Sequence, residues 1–357
     1  MTLQELGWDE ARAREFEPWA GKPAHHPARV LIGFNYLYRV GIEGSEFDAV
    51  LAGRLKHRAE RQGELPAVGD WFAVRKRPDE DRGAIVAVLP RRSRFSRRMA
   101  GNVTDEQVVA ANVDVIFIVM ALDEDFSVRR LERYLLMSRE SGATPVVLLT
   151  KPDLSADLPA DVADVVAAAG DVPVHVVSPK LNQGLEQVSP YVTAGRTAAL
   201  LGSSGVGKST IINRLIGADV RKTREVRESD SKGRHTTTHR ELVVLPEGGL
   251  MIDTPGMGEL QLWDASESVR GTFEDVEALA GECHFTDCRH RGEPRCAVKT
   301  AVDEGRIPPD RVASYLQLQD ELAYLARQQD ERAQIEEKRK GKIGAKALRQ
   351  HLKSKRI

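Results

Sequence analysis

Three rhythms of apolar and polar residues follow one another along the 357-residue chain. A polar, proline-containing start, Met1 to Pro27, is expected to be a flexible segment. Short β-like runs come next, over Arg29–Tyr38, Phe47–Leu55, Trp71–Arg75 and Ala84–Leu89. They are divided by the turn signals Gly41-Ile42-Glu43-Gly44, Val68-Gly69-Asp70 and Pro78-Asp79-Glu80-Asp81. Several short strands within about sixty residues predict a small β-barrel, and an oligonucleotide-binding (OB) barrel fits that size.

From Ala110 strands alternate with helices. Val113–Ala121 reads as a buried strand and Ser127–Glu140 as a helix capped by Ser127 and ended near Gly142. Pro145–Leu149 is a second strand, Leu158–Ala169 a helix closed by Gly170, and Val172–Val177 a third strand. A helical piece, Gly184–Val192, precedes the strand Thr197–Leu201, and Gly249–Ile252 is a later strand. This alternation predicts a mainly parallel sheet with helices on both faces. Ligands of such sheets bind beyond the carboxyl ends of the strands, so the residues after each strand carry the information. Towards the end, Val312, Tyr315, Leu318, Leu322 and Leu325 recur at helical spacing, a stripe read as core packing.

The strand Thr197–Leu201 runs into Gly202-Ser203-Ser204-Gly205-Val206-Gly207-Lys208-Ser209-Thr210. A loop that wraps phosphate turns its backbone N–H groups inward with dihedrals that side chains forbid, hence the glycines. Lys208 would reach the β- and γ-phosphates and Ser209 would ligand Mg²⁺, while the next helix, roughly Ser209 to Ile216, presents its positive end. After the second strand comes Thr150-Lys151-Pro152-Asp153. A carboxylate at Asp153 accepts from N1–H and the 2-amino group of guanine, two donors that adenine lacks; the Lys151 stem covers the base and Thr150 donates to N7. Ser178-Pro179-Lys180 follows the third strand, where a second base loop belongs. After Gly249–Ile252 stands Asp253-Thr254-Pro255-Gly256, in which Asp253 holds a Mg²⁺ water and the Gly256 N–H meets the γ-phosphate. The polar stretch Lys232-Gly233-Arg234-His235-Thr236-Thr237-Thr238 suits a segment ordered only by γ-phosphate and Mg²⁺.

A net charge of −1 conceals two cationic patches, Arg91–Arg98 and Lys338–Ile357, so a phosphate-bearing partner is implied locally rather than globally. The arginine stretch reads either as a solvated linker or as an RNA contact. The basic tail is expected to stay disordered until it meets RNA. No apolar h-region opens the chain, and the longest apolar run, Val115 to Leu122, is far short of the ~20 residues that span a bilayer. A soluble cytoplasmic protein with no membrane partner is therefore expected. Cys283, Cys288 and Cys296 are all the cysteines of the chain; with His290 they form a Cys-x4-Cys-x-His-x5-Cys cluster suited to one structural, tetrahedral Zn²⁺.

Taken together, TKPD, SPK, GSSGVGKST, HTTT and DTPG resemble the guanine-binding motifs of translation-factor GTPases in rotated order. With a barrel before and a Cys/His cluster after, the chain resembles the circularly permuted GTPases of the ribosome small-subunit-dependent GTPase A (RsgA/YjeQ) family. The resemblance implies a multi-domain protein: a flexible segment 1–27, an OB-fold domain 28–98, a permuted α/β P-loop GTPase domain 99–265, a zinc-binding and helical domain 266–325 and a basic tail 326–357. It also implies Mg²⁺-dependent hydrolysis of GTP to GDP on the 30S subunit late in its assembly, stimulated by that subunit, with rRNA contacts and a monomeric chain. Met257 stands where many GTPases carry a water-orienting Gln, so His235 is the expected catalytic residue; Thr237 is the expected switch ligand of Mg²⁺, with Thr236 and Thr238 as adjacent registers. Two departures bear on guanine selectivity. Thr150 replaces the usual Asn and is shorter by one carbon toward N7 and the phosphate loop. Pro179 has no N–H for guanine O6, so selectivity rests chiefly on Asp153, with Lys180 or a shifted loop register as compensation. Two other functions compete: an RNA-binding module in which nucleotide is a stabilising ligand, and another P-loop NTPase of RNA metabolism, including an ATP-using kinase that TKPD disfavours.

Overall fold

A computed structural model describes residues 1–34, 36–53, 55, 65–77, 79–99, 102–217, 240–253, 273–320, 323 and 327. The chain divides into two compact units, one of Met1–Arg97 with Glu106–Leu262 and one of Arg98–Asp105 with Trp263–Ile357.

In the first unit, β1 (His25–Phe34), β2 (Leu37–Ile42), β3 (Ser45–Leu51), β4 (Trp71–Arg75) and β5 (Arg82–Val88) follow the order β1-β2-β3-β5-β4, and a β1–β4 pairing closes them into a five-stranded barrel. Register shifts at Val30/Ile32 and Ala73/Val74 supply the bends that closure needs. Val30, Val40, Ala49, Phe72, Val74 and Ile85 are buried. The run read as Arg29–Tyr38 is in fact two antiparallel strands, β1 and the start of β2, and Gly41 and Ile42 belong to β2 rather than to a turn. Apolar residues on either side hid the reversal, although Gly33 and Asn35 stand beside it.

The first 27 residues, expected to be flexible, are built into this unit: Asp9 caps the helix Glu10–Ala20 by accepting from the Arg12 N–H at 2.9 Å, and Leu6 and Phe16 are buried. The Trp8 and Trp71 rings meet at 4.9 Å. Nor are all the arginines after the barrel solvated. Arg91 makes a bidentate pair with the fully buried Asp70, at 2.9 and 2.7 Å, and Arg92 a bidentate pair with Asp9. Arg94 opens β6 (Arg94–Met99), which pairs with β7 (Asn102–Ala111) in a two-stranded sheet.

The nucleotide-type sheet is β8 (Val115–Ala121), β9 (Thr144–Thr150), β10 (Val174–Val176), β11 (Thr197–Leu201), β12 (Glu241–Val244) and β13 (Leu250–Asp253), in the order β10-β9-β8-β11-β13-β12. The first five of these neighbours run parallel and β12 is antiparallel. Every residue of β8 and β11 is buried, as expected for parallel strands covered on both faces. The helix Leu158–Ala169 has the expected limits, whereas Val128–Ser141 has Ser127 at its N-cap without a side-chain hydrogen bond and ends on Gly142 in the left-handed region. Gly184–Val192 resolves into two short 3₁₀ turns. One bridge, Ile32 to Glu241, joins barrel and sheet edge to edge.

Arg29, only 2% exposed, sits where these parts meet. Its guanidinium donates to the carbonyls of Leu6, Gly69 and Asn112 and to the Thr197 hydroxyl, and stands 5.5 Å from the Trp71 ring centre. Burial pushes it down to about 9, partly offset by Asp114. Asn112, itself in the left-handed region, accepts from Arg12 and the Arg92 N–H and donates to Gly69 O.

The second unit contains the helices Glu274–Ala280 and Ala297–Asp303 and a helix over 309–320. Phe273, Val276, Val298, Ala301, Ile307, Val312, Tyr315 and Leu318 are buried, as the helical stripe predicts for its described part. Tyr315 donates to Glu277, and Arg311 pairs with Asp275 beside the Phe273 ring.

Arg29→Met leaves the buried carbonyls of Leu6 and Asn112 without their donor, Gly69 O keeping Asn112, so it is expected to cost about 2 kcal/mol or more of unfolding free energy. Urea unfolding measures this; an unchanged midpoint would mean that the guanidinium contributes nothing net.

Candidate nucleotide site and metal centre

Strand β11 leaves the sheet through Gly202, where a Cβ would lie 2.3 Å from the Val119 carbonyl, so only glycine passes the neighbouring strand. Gly205 and Gly207 hold φ of 80° and 100°. The helix over 208–217 follows, anchored by the buried Ile211, Ile212 and Ile216, while Ser209 and Thr210 are exposed in its first turn. Lys208 folds back over the loop and donates to Gly202 O at 2.7 Å and Ser203 O at 2.5 Å. Burial of the ammonium pushes its pKa down, a cost that a bound anion would relieve.

Each parallel strand delivers its motif to this same carboxyl edge. Thr150, 1% exposed at the end of β9, donates to the Val206 carbonyl at 2.6 Å and lies 3.2 Å from Met120 O. The shorter side chain therefore still reaches the phosphate loop, because β9 places it against Val206. Lys151 adopts the left-handed region and its ammonium pairs with Asp123 at 2.7 Å; that hydrogen bond holds the Asp123 carboxyl below its ordinary value. Pro152–Leu154 form a 3₁₀ turn that leaves Asp153 exposed, with no hydrogen-bond partner among the described residues. After β10, Ser178 and Gln183 close a small loop by reciprocal backbone bonds, with Ser178 and Pro179 buried and Lys180 exposed. Asp253 ends β13 beside β11. Gly256, His235, Thr237 and Met257 lie outside the described residues, as does the basic tail beyond 327.

Three contacts here escaped sequence reasoning. Asp123 positions Lys151, Arg130 donates to the Ser203 hydroxyl at 3.1 Å with Tyr134 at 3.4 Å, and Arg214 donates to Pro179 O and Lys180 O at 3.0 and 3.3 Å. Asp123 could have been found, since it is the first polar residue after β8. Arg130 and Arg214 lie on helices and carry no motif.

In the second unit the ligand atoms of Cys283, Cys288, His290 and Cys296 all lie within 4.8 Å of one another. Cys283 Sγ is 3.9 Å from Cys296 Sγ, and His290 Nδ1 is 3.6 and 3.4 Å from those two sulfurs. A tetrahedron with Zn–S of about 2.3 Å and Zn–N of about 2.0 Å has edges of about 3.8 Å (S to S) and 3.5 Å (S to N), so the donor set fits that ion. Between His290 and Cys296 the Glu293 carboxylate accepts the N–H groups of Arg289, Arg291 and Gly292. Backbone donors, its own first, hold that carboxyl at about 2.

The family model described as RsgA GTPase matches residues 88–263. A protein of Opitutus terrae named small ribosomal subunit biogenesis GTPase RsgA is 48% identical over 339 residues, 92% of each chain. The chain belongs to the RsgA GTPase family. A relative of the same name from Methanosarcina acetivorans is 41% identical and covers 93% of this chain and 88% of its own. Among solved structures, YjeQ from Thermotoga maritima matches with a TM-score of 0.62 at 25% identity, over 84% of this chain and 99% of that one. YloQ, described as a circularly permuted GTPase, has a TM-score of 0.57 at 22% identity, over 85% and 97%. The permuted order expected for RsgA is visible in the sheet: β8, β9 and β10 come first in sequence, yet β11, which carries the phosphate loop, lies between β8 and β13.

Thr150→Val removes the donor to Val206 O with almost no change of volume. A loss of about 1 kcal/mol in stability is expected, with faster amide exchange confined to the phosphate loop. Uniform exchange changes, or none, would show that this hydrogen bond does not hold the loop.

Proposed function

We propose that this RsgA-family chain hydrolyses GTP to GDP and phosphate on the small ribosomal subunit late in its maturation, and leaves the subunit afterwards. The observation that carries the reading is the convergence of TKPD, SPK and the phosphate loop on one edge of a parallel sheet, in a chain 48% identical to a protein named for small-subunit biogenesis. Asp153 would accept from N1–H and the 2-amino group of guanine, with the Lys151 stem, held by Asp123, across the base. Gly202 to Gly207 would cradle the phosphates, and Lys208 would counter charge developing on the β- and γ-phosphates. Ser209 and Thr237 would ligate Mg²⁺ and Asp253 would hold one of its waters, and the ion would supply charge neutralisation when bound. Gly256 N–H would meet the γ-phosphate, and His235 would orient the attacking water. In the second unit, Cys283, Cys288, His290 and Cys296 would hold one structural Zn²⁺. Four protein donors leave no open position, so this site organises the unit rather than performing chemistry. The reading includes a monomer working in the cytoplasm on rRNA; among the described residues no helix is long and apolar enough to cross a membrane.

Multiple-turnover phosphate release with and without 30S particles tests the function. Stimulation by 30S is expected for the wild type, and His235→Ala should reduce the stimulated rate at least tenfold while GTP affinity stays within about twofold. Release that is indifferent to 30S would argue for the RNA-binding module instead. For the metal, about one zinc per chain is expected by atomic absorption. Cys288→Ser should lose it and unfold the second unit, whose core is small, while the nucleotide unit stays folded. A metal-free protein with both units intact would remove zinc from the reading.

A further inference from the structure

Proline at 179 raises a chemical problem for the base site proposed above, because it offers no N–H to guanine O6. The hydrogen bonds of the loop indicate which group takes over. Ser178 N–H donates to Gln183 O, while Leu181 and Gln183 N–H donate to Ser178 O and Asn182 N–H to Pro179 O. Lys180 N–H has no acceptor among the described residues. It is the one backbone donor of residues 178–183 left for a ligand.

Its direction is set by what holds the Pro179 carbonyl, which is Arg214 from outside the loop at a shorter distance than Asn182 N–H within it. Arg214, two turns into the helix that begins at Lys208, donates through Nε to Pro179 O at 3.0 Å and through Nη2 to Lys180 O at 3.3 Å. In a planar trans peptide the C=O and the following N–H point to opposite sides. Holding Pro179 O toward Arg214 therefore turns Lys180 N–H away from the phosphate helix's guanidinium. Arg214 is suited to this because its fork spans two consecutive carbonyls, whereas an ammonium is a single point donor.

We propose that Lys180 N–H, oriented by Arg214, is the donor to the 6-oxo group of guanine in this chain, which makes Arg214 a positioning residue for base selectivity. The inference rests on the guanine-site reading of Asp153. It adds a second discriminant: adenine presents an amino donor where guanine presents an acceptor, so an N–H fixed at that place repels adenine as well as binding guanine. Selectivity then no longer depends on Asp153 alone, and the departure at Pro179 is compensated by a residue 35 positions away.

The test compares the affinities of the full chain for GDP, 6-thio-GDP and ADP by calorimetry. The thio analogue keeps N1–H and the 2-amino group but replaces the 6-oxo acceptor by a weak one. Wild type should prefer GDP over the thio analogue about tenfold. Arg214→Ala should weaken GDP about fivefold and the thio analogue less than twofold while ADP binding rises about twofold as the repelling N–H is released, and Arg214→Lys should fall between. Arg214 is exposed, and equal melting midpoints would show that the variants fold. Asp153→Asn should weaken GDP and 6-thio-GDP alike, by tenfold or more. If Arg214→Ala leaves GDP unchanged, or weakens both analogues equally while Asp153→Asn behaves as stated, the positioning role is overturned and the base-site reading stands. If Asp153→Asn leaves both affinities unchanged, the base site itself is misassigned and the inference falls with it.

Discussion

A guanidinium taken out of water is costly unless its N–H groups find acceptors, and the buried Arg29 finds four. Its acceptors come from the N-terminal segment, the barrel turn at Gly69, the entry to the nucleotide sheet at Asn112, and Thr197 at the start of the strand that carries the phosphate loop. Satisfying one side chain thus ties together four segments, the farthest of which, at Thr197, lies 168 positions from Arg29. None of the four partners is a carboxylate; the nearest compensation is the field of Asp114. Such a group specifies an arrangement more than it adds net stability, since its desolvation offsets much of the hydrogen-bond gain. Arg12, Arg92 and Asn112 extend the same polar seam between helix, barrel and sheet.

The carboxyl edge of the sheet is ordered by side chains that cross between loops. Thr150 ties the end of β9 to the phosphate loop, Lys151 is tied to Asp123 after β8, Arg130 to Ser203, and Arg214 ties the phosphate helix to the loop after β10. Each tie is worth little singly, yet together they reduce the conformational freedom that a ligand would otherwise have to remove. Lys208 shows the opposite economy: it is held, partly buried, on carbonyls of its own loop, with its charge poorly solvated until an anion arrives.

The second unit has a modest apolar core around Phe273, Val298 and Tyr315. Its loop from Cys283 to Cys296 is instead organised by polar geometry, with two residues, His290 and Arg295, in the left-handed region and Glu293 gathering three neighbouring backbone N–H groups besides its own. Short ligand spacing explains why this arrangement could be anticipated: Cys-x4-Cys-x-His-x5-Cys confines the donors to one loop, so little else in the fold has to be known.

What the sequence determined by itself was whatever is encoded within a few residues. Local spacing made the phosphate loop, TKPD, SPK and the zinc-type cluster legible, and the alternation of apolar runs predicted the parallel sheet, the limits of Leu158–Ala169 and Thr197–Leu201, and the family resemblance that the relatives bear out. Between β1 and β2 apolar flanks outweighed the turn signals Gly33 and Asn35, and the polar composition of Met1–Pro27 concealed a helix whose Phe16 packs on Trp8, which in turn meets Trp71 far along the chain. Tertiary structure alone decided that Arg91 and Arg92 are spent on Asp70 and Asp9, that Thr150 reaches Val206, and that Arg214 meets the Pro179 carbonyl. Hydrogen bonds and ion pairs have no periodicity along a sequence; which donor meets which acceptor is fixed only when the fold brings distant residues within about 3 Å.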